Sequence, residues 1–329
     1  MTSASAIPVG VIGVGSLGFH HARILREVAG AEMVGIYDSD VARLLQVSSE
    51  LGIRAFSSAE ELAANVEAAV IAVPTTQHSE VALVALDRDV HLLIEKPIAA
   101  TLAEADEILQ RAEARGLLTA TGQVERFNGA IRACEPYLDD PRFIESHRLG
   151  PFGPRGTDVA VVLDLMIHDI DLVLGLVGHP VSQVDAVGVP VLTPSVDIAN
   201  ARLLFETGAV ANITASRISR DRVRKIRLFQ NSGYMSLDLS NGTGEFLRLR
   251  AGFSPGKMAG APSIESIVER VEFAGDGKEP LRAELESFVA AVQGKVDVVV
   301  SGRAGRDALA VALEIVNNIE KNVAHQRSS

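Results

Sequence analysis

Over the first 123 residues, short apolar runs alternate with segments of helical period. Runs at 9–14, 33–37, 54–56, 68–73, 91–95 and 117–121 read as six strands. Helices are expected at 16–28, 41–51, 58–65, 78–88 and 101–115. In the first of these, Leu17, His21, Ile24 and Val28 form one stripe. Ser58 with Glu61, and Thr101 with Glu104, have the spacing of capping boxes. Pro74 and Pro97 close the strands before them. Strands separated by helices of this length imply βαβ units, hence an α/β Rossmann-type, doubly wound parallel sheet.

The pattern changes after Gly122. A linker-like stretch and a short helix reach 137, a strand follows at 142–149, and 157–177 reads as one long, mostly apolar helix. Strand signals then arrive without helices between them, at 182–191, 198–206, 209–218, 223–230, 233–239 and 245–250. Turn residues at 206–208 and 231–233 mark hairpins, so this part reads as an α+β domain with largely antiparallel pairing. Residues 251–263, rich in Gly, Pro and Ala, read as a mobile loop, and helices near 279–293 and 303–322 end the chain. The division predicted is 1–123 for a dinucleotide-binding domain and 124–329 for a substrate and oligomerisation domain, with 303–322 packing back on the first.

Composition narrows the function. The chain has 329 residues, 47% hydrophobic and 22% charged, enough to bury two cores and too apolar for disorder. No apolar run reaches the roughly 18 residues of a membrane span. The first eight residues have neither a basic region nor a long apolar stretch, which predicts no secretory signal and a cytoplasmic location. One cysteine, Cys134, excludes an internal disulfide and a cysteine-clustered metal site. A net charge of −11 without Trp speaks against nucleic acid as a partner.

Candidate chemistry begins at Gly13-Val14-Gly15-Ser16-Leu17-Gly18, a G-x-G-x-x-G run between a strand and a helix. Gly13 permits the tight turn, Gly15 lets a pyrophosphate approach the backbone, and Gly18 permits close helix packing. Ser16 and Leu17 open the helix whose N–H groups face the phosphates. Asp38 ends the second strand, where an acid bonds the adenosine ribose and repels a 2′-phosphate. NAD is therefore expected over NADP, a preference that nearby Arg43 softens. Glu95-Lys96-Pro97 lies at the carboxyl end of the fifth strand, the ligand edge of a parallel sheet. On the long apolar helix, Asp164, His168 and Asp171 share a stripe that must face solvent or a polar cavity. A solvated face, an Asp-x-x-x-His metal pair without further ligands, and an acid–base pair acting on an alcohol are all open readings of it.

Taken together, Val11-Ile12-Gly13-Val14-Gly15 with Gly18, Ala72-Val73-Pro74-Thr75-Thr76-Gln77-His78, Glu95-Lys96-Pro97, and Asp164 with His168 resemble the Gfo/Idh/MocA family. This is the glucose–fructose oxidoreductase and inositol dehydrogenase group, and the resemblance covers nearly the whole chain. It implies a second domain built on an open mixed sheet, and oxidation or reduction of a carbon of a sugar or cyclitol. It implies catalytic roles for Lys96 and His168, a substrate-binding or His-orienting role for Asp164, and no metal. It also implies a cis Lys96–Pro97 bond and a nicotinamide bordered by Pro74, Thr75 and His78, beside Glu95 and Lys96. Met166 stands where many relatives have glycine, and 159–162 replaces a Gly-rich run; both reshape the pocket. Arg126, in the domain crossover, and Asp171 are further substrate candidates.

Six basic residues fall between Arg217 and Arg227. They suit either a solvated sheet face or an anion site, where arginine forks match phosphate oxygens. The stretch is similar to that of family members that oxidise the 3-hydroxyl of UDP-N-acetylglucosamine. Arg220, Arg222 and Arg224 share one strand parity and are the candidates for contact with a nucleotide-linked substrate. A free sugar or inositol is the alternative substrate, and a non-catalytic NAD-binding sensor the alternative of another class. An open sheet needs covering, which predicts a homodimer or homotetramer.

Overall fold

The computed structural model describes residues 6–153, 159–250 and 264–328. The first residues of the N-terminus, part of the helix expected at 157–177, and the loop expected at 251–263 lie outside the described residues. Two compact units emerge: Met1–Phe127 with Glu279–Ala310, and Asn128–Lys278 with Val311–Ser329.

The first unit runs β1 (Ile7–Ile12), α1 (Ser16–Leu25), β2 (Ala31–Tyr37), α2 (Val41–Leu51), α3 (Ala59–Ala63), β3 (Ala68–Ile71), α4 (His78–Leu86), β4 (His91–Glu95), α5 (Leu102–Ala114) and β5 (Thr119–Gly122). The strands pair in the order β2-β1-β3-β4-β5, every pair parallel. Chain order reverses between β1 and β3, the switch point where such sheets bind ligands at their carboxyl ends. The strand expected at 54–56 is reduced to a single parallel bridge, Ile36 to Ala55. Five residues separate Gly52, which ends α2, from Ser58, the cap of α3, and of these only Ala55 forms the bridge. Thr101 and Glu104 form the reciprocal capping box. At Ser58 the hydroxyl caps Glu61, but the Glu61 carboxylate turns to Ser57 instead of back to Ser58.

In α1, His21 and Ile24 are buried, whereas Leu17 is 54% exposed because it belongs to the glycine turn. Val9, Val11, Ile24 and Val70 share one core with Leu285, Phe288 and Val289. These last three come from α9 (Pro280–Val292), a helix distant in sequence that packs within this unit. The start of α10 (Gly302–Ser328) runs close to β5: a Cβ on Gly305 would stand 2.1 Å from the Thr121 hydroxyl.

The second unit holds an eight-stranded sheet in the order β13-β12-β11-β10-β6-β9-β8-β7. Its strands are β6 (Phe143–Leu149), β7 (Val181–Val189), β8 (Ile198–Phe205), β9 (Val210–Ser216), β10 (Val223–Gln230), β11 (Gly233–Asp238), β12 (Thr243–Leu249) and β13 (Val268–Ala274). Only β6 and β9 pair in parallel, so the sheet is mixed but mainly antiparallel. Both expected hairpin turns form, with Gly208 and Gly233 at positive φ. Sequence reading gave no sign of β13, an edge strand whose Glu269, Arg270 and Glu272 dilute the apolar alternation. The helices are α6 (Gly129–Cys134), α7 (Ile167–Val177) and α8 (Ile264–Ile267). The second half of α10 is tied to β7 by Asn318, whose side-chain amide donates to the Val184 carbonyl at 2.8 Å.

Candidate active site

In the first unit the glycine turn joins β1 to α1 at the switch point. Gly13 has φ +89°, and a Cβ there would sit 2.6 Å from the Ala72 carbonyl carbon. A Cβ on Gly18 would lie 1.7 Å from the Gly13 oxygen, so turn and helix close on each other only with glycine. Gly15 is different: a Cβ there would meet nothing within 4 Å. Its missing side chain therefore leaves open space at the start of α1, where no side chain caps the helix. Open space beside uncapped N–H groups is what a pyrophosphate needs.

Asp38, at the end of β2, is oriented by the turn itself. Its Oδ2 accepts the Val14 N–H at 2.7 Å and its Oδ1 the Asp40 N–H at 2.9 Å. Arg43 is spent on the same turn, donating to the carbonyls of Val14 and Gly15 at 2.9 and 3.2 Å and to Gln46 at 3.2 Å. Its guanidinium also stands over the Phe19 ring, 5.6 Å from the centroid. Arg43 thus fastens the turn by hydrogen bonds that a 2′-phosphate would have to break.

At the carboxyl edge of β4, Lys96 is half-buried and followed by a cis bond to Pro97. His78 is buried, with Nδ1 2.8 Å from the Pro97 oxygen and Nε2 3.0 Å from the Val73 oxygen. Burial pushes the His78 ring below the usual histidine range, against the pull of those carbonyls. His78 therefore ties the 73–75 loop to the Lys96–Pro97 turn, with both ring nitrogens engaged by backbone. Pro74 leads into the short 3-10 turn Thr75–Gln77, which is only partly buried.

In the second unit, residues Val162–Met166 form a π-helical turn that passes into α7. The long helix expected from sequence is thus interrupted, and the wider turn shifts the phase of its side chains. Asp164, in the middle of this turn, is half-buried, as is His168 one turn further on. The start of the segment is pinned. Val161 donates to the Val196 carbonyl at 2.9 Å, and the Arg217 guanidinium donates to the Val159 carbonyl at 2.5 Å. Arg217 lies 4.0 Å from Asp197, whose carboxylate collects the N–H groups of Val191, Leu192 and Thr193. Burial by itself raises the Asp197 pKa, but these bonds and the Thr193 hydroxyl hold it at about 2.

Asp164 opens on a hollow of about 350 Å³ lined also by Arg148, Arg217, Arg222 and Arg224. Arg148 is buried and meets Asp169 of α7 through Nε at 2.5 Å, while Ser146 donates to the same carboxylate at 2.8 Å. Arg224 faces Arg148 across the β10–β6 pair, on the side of β10 where Ile226 and Leu228 are fully buried. Lys225 and Arg227 point to the other side, where Arg227 pairs with Glu145. A larger hollow there, about 530 Å³, is lined by Lys225, Asp238, Glu245, Arg270 and Glu272. Its carboxylates outnumber its cations three to two, and Arg270 is bonded to both Glu245 and Glu272. Beyond the pairs Arg148–Asp169 and Arg217–Asp197, Arg222 and Arg224 bring further positive charge to the first hollow, which makes it the better anion site.

Comparison with known proteins agrees with this geometry. Residues 7–123 match an oxidoreductase family with an NAD-binding Rossmann fold, and residues 123–236 match the C-terminal domain of the same family. The chain belongs to the Gfo/Idh/MocA family of oxidoreductases. It is 39% identical to UDP-N-acetylglucosamine 3-dehydrogenase of Acidithiobacillus ferrooxidans, over 93% of this chain and 95% of that one. A solved structure of that enzyme superposes with a TM-score of 0.89 at 38% identity, covering 96% of this chain and 98% of the other. Myo-inositol 2-dehydrogenase of Thermotoga maritima is 25% identical over 95% of this chain and 96% of its own length. The protein is thus an oxidoreductase acting on CH–OH groups, and the non-catalytic sensor reading is set aside. Among the described residues no helix is long and apolar enough to cross a membrane.

Within this Gfo/Idh/MocA protein, Gly13, Gly15, Ser16, Leu17, Gly18, Asp38 and Arg43 gather around one turn. Glu95 and Lys96 gather at the end of β4 with His78. In the other unit Asp164, Arg222 and Arg224 line one hollow. Arg220 is exposed and Asp171 is buried, and neither lines that hollow. Arg126 is half-buried in the 3-10 turn Val124–Phe127. Sequence reasoning missed Arg148 and Asp169 entirely. Their signal is faint: a charged residue on each of two apolar elements, meaningful only when the two meet.

Proposed function

We propose that this protein is an NAD-dependent dehydrogenase of a secondary hydroxyl on a nucleotide-linked amino sugar, UDP-N-acetylglucosamine being the leading substrate. The observation that carries the reading is the hollow in which Arg148, Arg217, Arg222 and Arg224 surround Asp164. A diphosphate needs paired cations, and a sugar hydroxyl needs a carboxylate acceptor; this hollow offers both. Its likeness to UDP-N-acetylglucosamine 3-dehydrogenase along almost the whole chain supports the same substrate class.

In this reading the glycine turn and the start of α1 hold the dinucleotide phosphates, and Asp38 the adenosine ribose. When bound, the nicotinamide supplies the hydride acceptor. His168 takes the proton of the substrate hydroxyl, Asp164 orients the imidazole or the sugar, and the Lys96 ammonium steadies the oxygen as negative charge develops there. The protein acts in the cytoplasm as a homodimer or homotetramer.

Two measurements follow. NAD(H) should bind more tightly than NADP(H), because Asp38 repels a 2′-phosphate and Arg43 is committed to the turn. Asp38→Ala should narrow the gap, and titration calorimetry with both cofactors reads it directly. Equal or tighter NADP(H) binding by the unmodified protein would refute the NAD assignment.

For the substrate, steady-state kinetics should favour UDP-N-acetylglucosamine over free N-acetylglucosamine and myo-inositol. Arg222→Ala and Arg224→Ala should each raise KM for the UDP-linked sugar about ten- to a hundredfold, the range for one hydrogen bond to a charged group. Arg227→Ala, on the opposite side of the strand, should not. If the free sugar is turned over as efficiently as the UDP-linked one, the nucleotide-sugar reading fails and a simple sugar or cyclitol replaces it.

A further inference from the structure

The proposed chemistry leaves one buried ionisable pair unexplained. His21 of α1 and Glu95 of β4 are 74 positions apart, yet His21 Nε2 and Glu95 Oε1 approach to 2.6 Å. His21 is fully buried and Glu95 is 9% exposed. Placing a carboxylate this deep is costly unless it is bonded on more than one side. Glu95 is: its second oxygen, Oε2, accepts the backbone N–H of Lys96 at 3.2 Å. A single carboxylate thus bridges α1 and the main chain of Lys96. Residue 122 leaves room for it, since a Cβ on Gly122 would stand 3.0 Å from Oε2.

The electrostatics agree with the geometry. Burial by itself raises the Glu95 pKa, but the hydrogen bond and charge of His21, and then the charge of Lys96, outweigh it and hold the group below its ordinary value. Attraction between two charges is mutual, so Glu95 equally favours the ammonium form of Lys96. The ionisable groups acting on one another around this turn are His21, His78, Glu95 and Lys96. Burial lowers the His78 pKa, and the negative charge at this turn comes from Glu95. On the other side of Lys96, the Pro97 carbonyl is held by His78.

We propose that His21 and Glu95 are positioning residues for Lys96, the imidazole fixing the carboxylate, and the carboxylate fixing the Lys96 backbone and stabilising its ammonium. This rests on the reading of Lys96 as the group at the reacting oxygen. It adds a second duty to α1: besides presenting its start to the phosphates, the helix sets the geometry of the turn that carries Lys96. The pair transfers no proton to substrate, and its effect passes through Lys96 alone.

The test compares the full-length protein with Glu95→Gln, His21→Ala, His21→Gln and Lys96→Ala. Turnover, KM, NAD affinity, melting temperature and the pH dependence of kcat are measured for each. Glu95→Gln keeps the shape and removes the charge. It should lower kcat about tenfold or more, with NAD affinity changed less than about threefold. It should also move the alkaline limb of the kcat profile to lower pH by about one unit. The sign follows because a lysine that loses a negative neighbour gives up its proton at lower pH, and activity needs the ammonium. His21→Ala should lower kcat as well, and His21→Gln, which keeps a donor within reach of Glu95, should restore much of the loss.

If Glu95→Gln leaves kcat and the alkaline limb unchanged while Lys96→Ala is inactive, the proposal is overturned and Lys96 stands. A fall in kcat without a shift of the limb overturns it too, since it marks a merely structural pair. If Lys96→Ala itself keeps normal turnover, the reading of Lys96 fails, and the proposal with it. Should Glu95→Gln not fold, His21→Ala against His21→Gln decides in its place: equal losses in both would overturn the pairing.

Discussion

Replacing Lys96 or His168 with alanine should lower turnover by about a hundredfold or more while leaving NAD affinity nearly unchanged. Lys96 sits at the carboxyl edge of a parallel strand, and its main chain is fixed by a buried carboxylate on one side and a buried histidine on the other. Such fixation suits a charge that must meet a developing oxyanion, because a preorganised ammonium needs no rearrangement as the barrier is crossed. His168 follows a π-helical turn whose start is pinned by two hydrogen bonds, so its backbone is equally constrained. Neither residue belongs to the glycine turn, which is why cofactor binding should survive their loss. Absorbance of NADH with the preferred sugar gives kcat, and calorimetry gives the NAD affinity. Near-normal turnover of His168→Ala across neutral pH would show that the base lies elsewhere.

Asp169→Ala should cost about 3–5 kcal/mol of stability, the usual penalty for removing one partner of a buried ion pair. Both members are nearly inaccessible: Arg148 is 4% exposed and Asp169 1%. Asp169 receives Arg148 through two guanidinium nitrogens and Ser146 through its hydroxyl. Its loss takes the carboxylate from all three donors at once. Against a typical domain stability of about 5–15 kcal/mol this is a large fraction. The melting temperature should fall on the order of ten degrees. Asp169→Asn, which keeps one acceptor oxygen, should lose less. Denaturant unfolding of both variants decides it; a change under about 1 kcal/mol would mean that Arg148 is satisfied without Asp169. Because Arg148 also lines the hollow beside Asp164, KM for the nucleotide-linked sugar should rise in parallel.

Much of the first unit is legible in the chain because its signals are local. A strand, a G-x-G-x-x-G turn and a helix are contiguous, and Gly13 and Gly18 each answer a constraint set within a few residues or by the adjacent strand. Alternation of strand and helix signals fixes the parallel, doubly wound class, since parallel neighbours require a crossover between them. Hairpin turns at 206–208 and 231–233 likewise fix antiparallel neighbours without knowledge of the rest.

The strand at 54–56 shows where local pattern stops. Its composition suits a strand, but between the two helix caps it pairs with β2 only through the Ile36–Ala55 bridge. The stripe of Asp164, His168 and Asp171 assumed a regular α-helical period. A π-helical turn changes that phase, and Asp171 ends buried while Asp164 lines the hollow. In the arginine-rich strand, sequence separates two parities but cannot say which is covered. That is settled by the pairing of β10 with β6, which places Arg224 opposite Arg148 and sends Arg227 to Glu145 on the other side. His21 with Glu95, and Arg148 with Asp169, join residues 74 and 21 positions apart. Periodicity assigns each such residue to a face of its own element. Which charged group waits on the facing element depends on packing and register, and those exist only once the chain has folded.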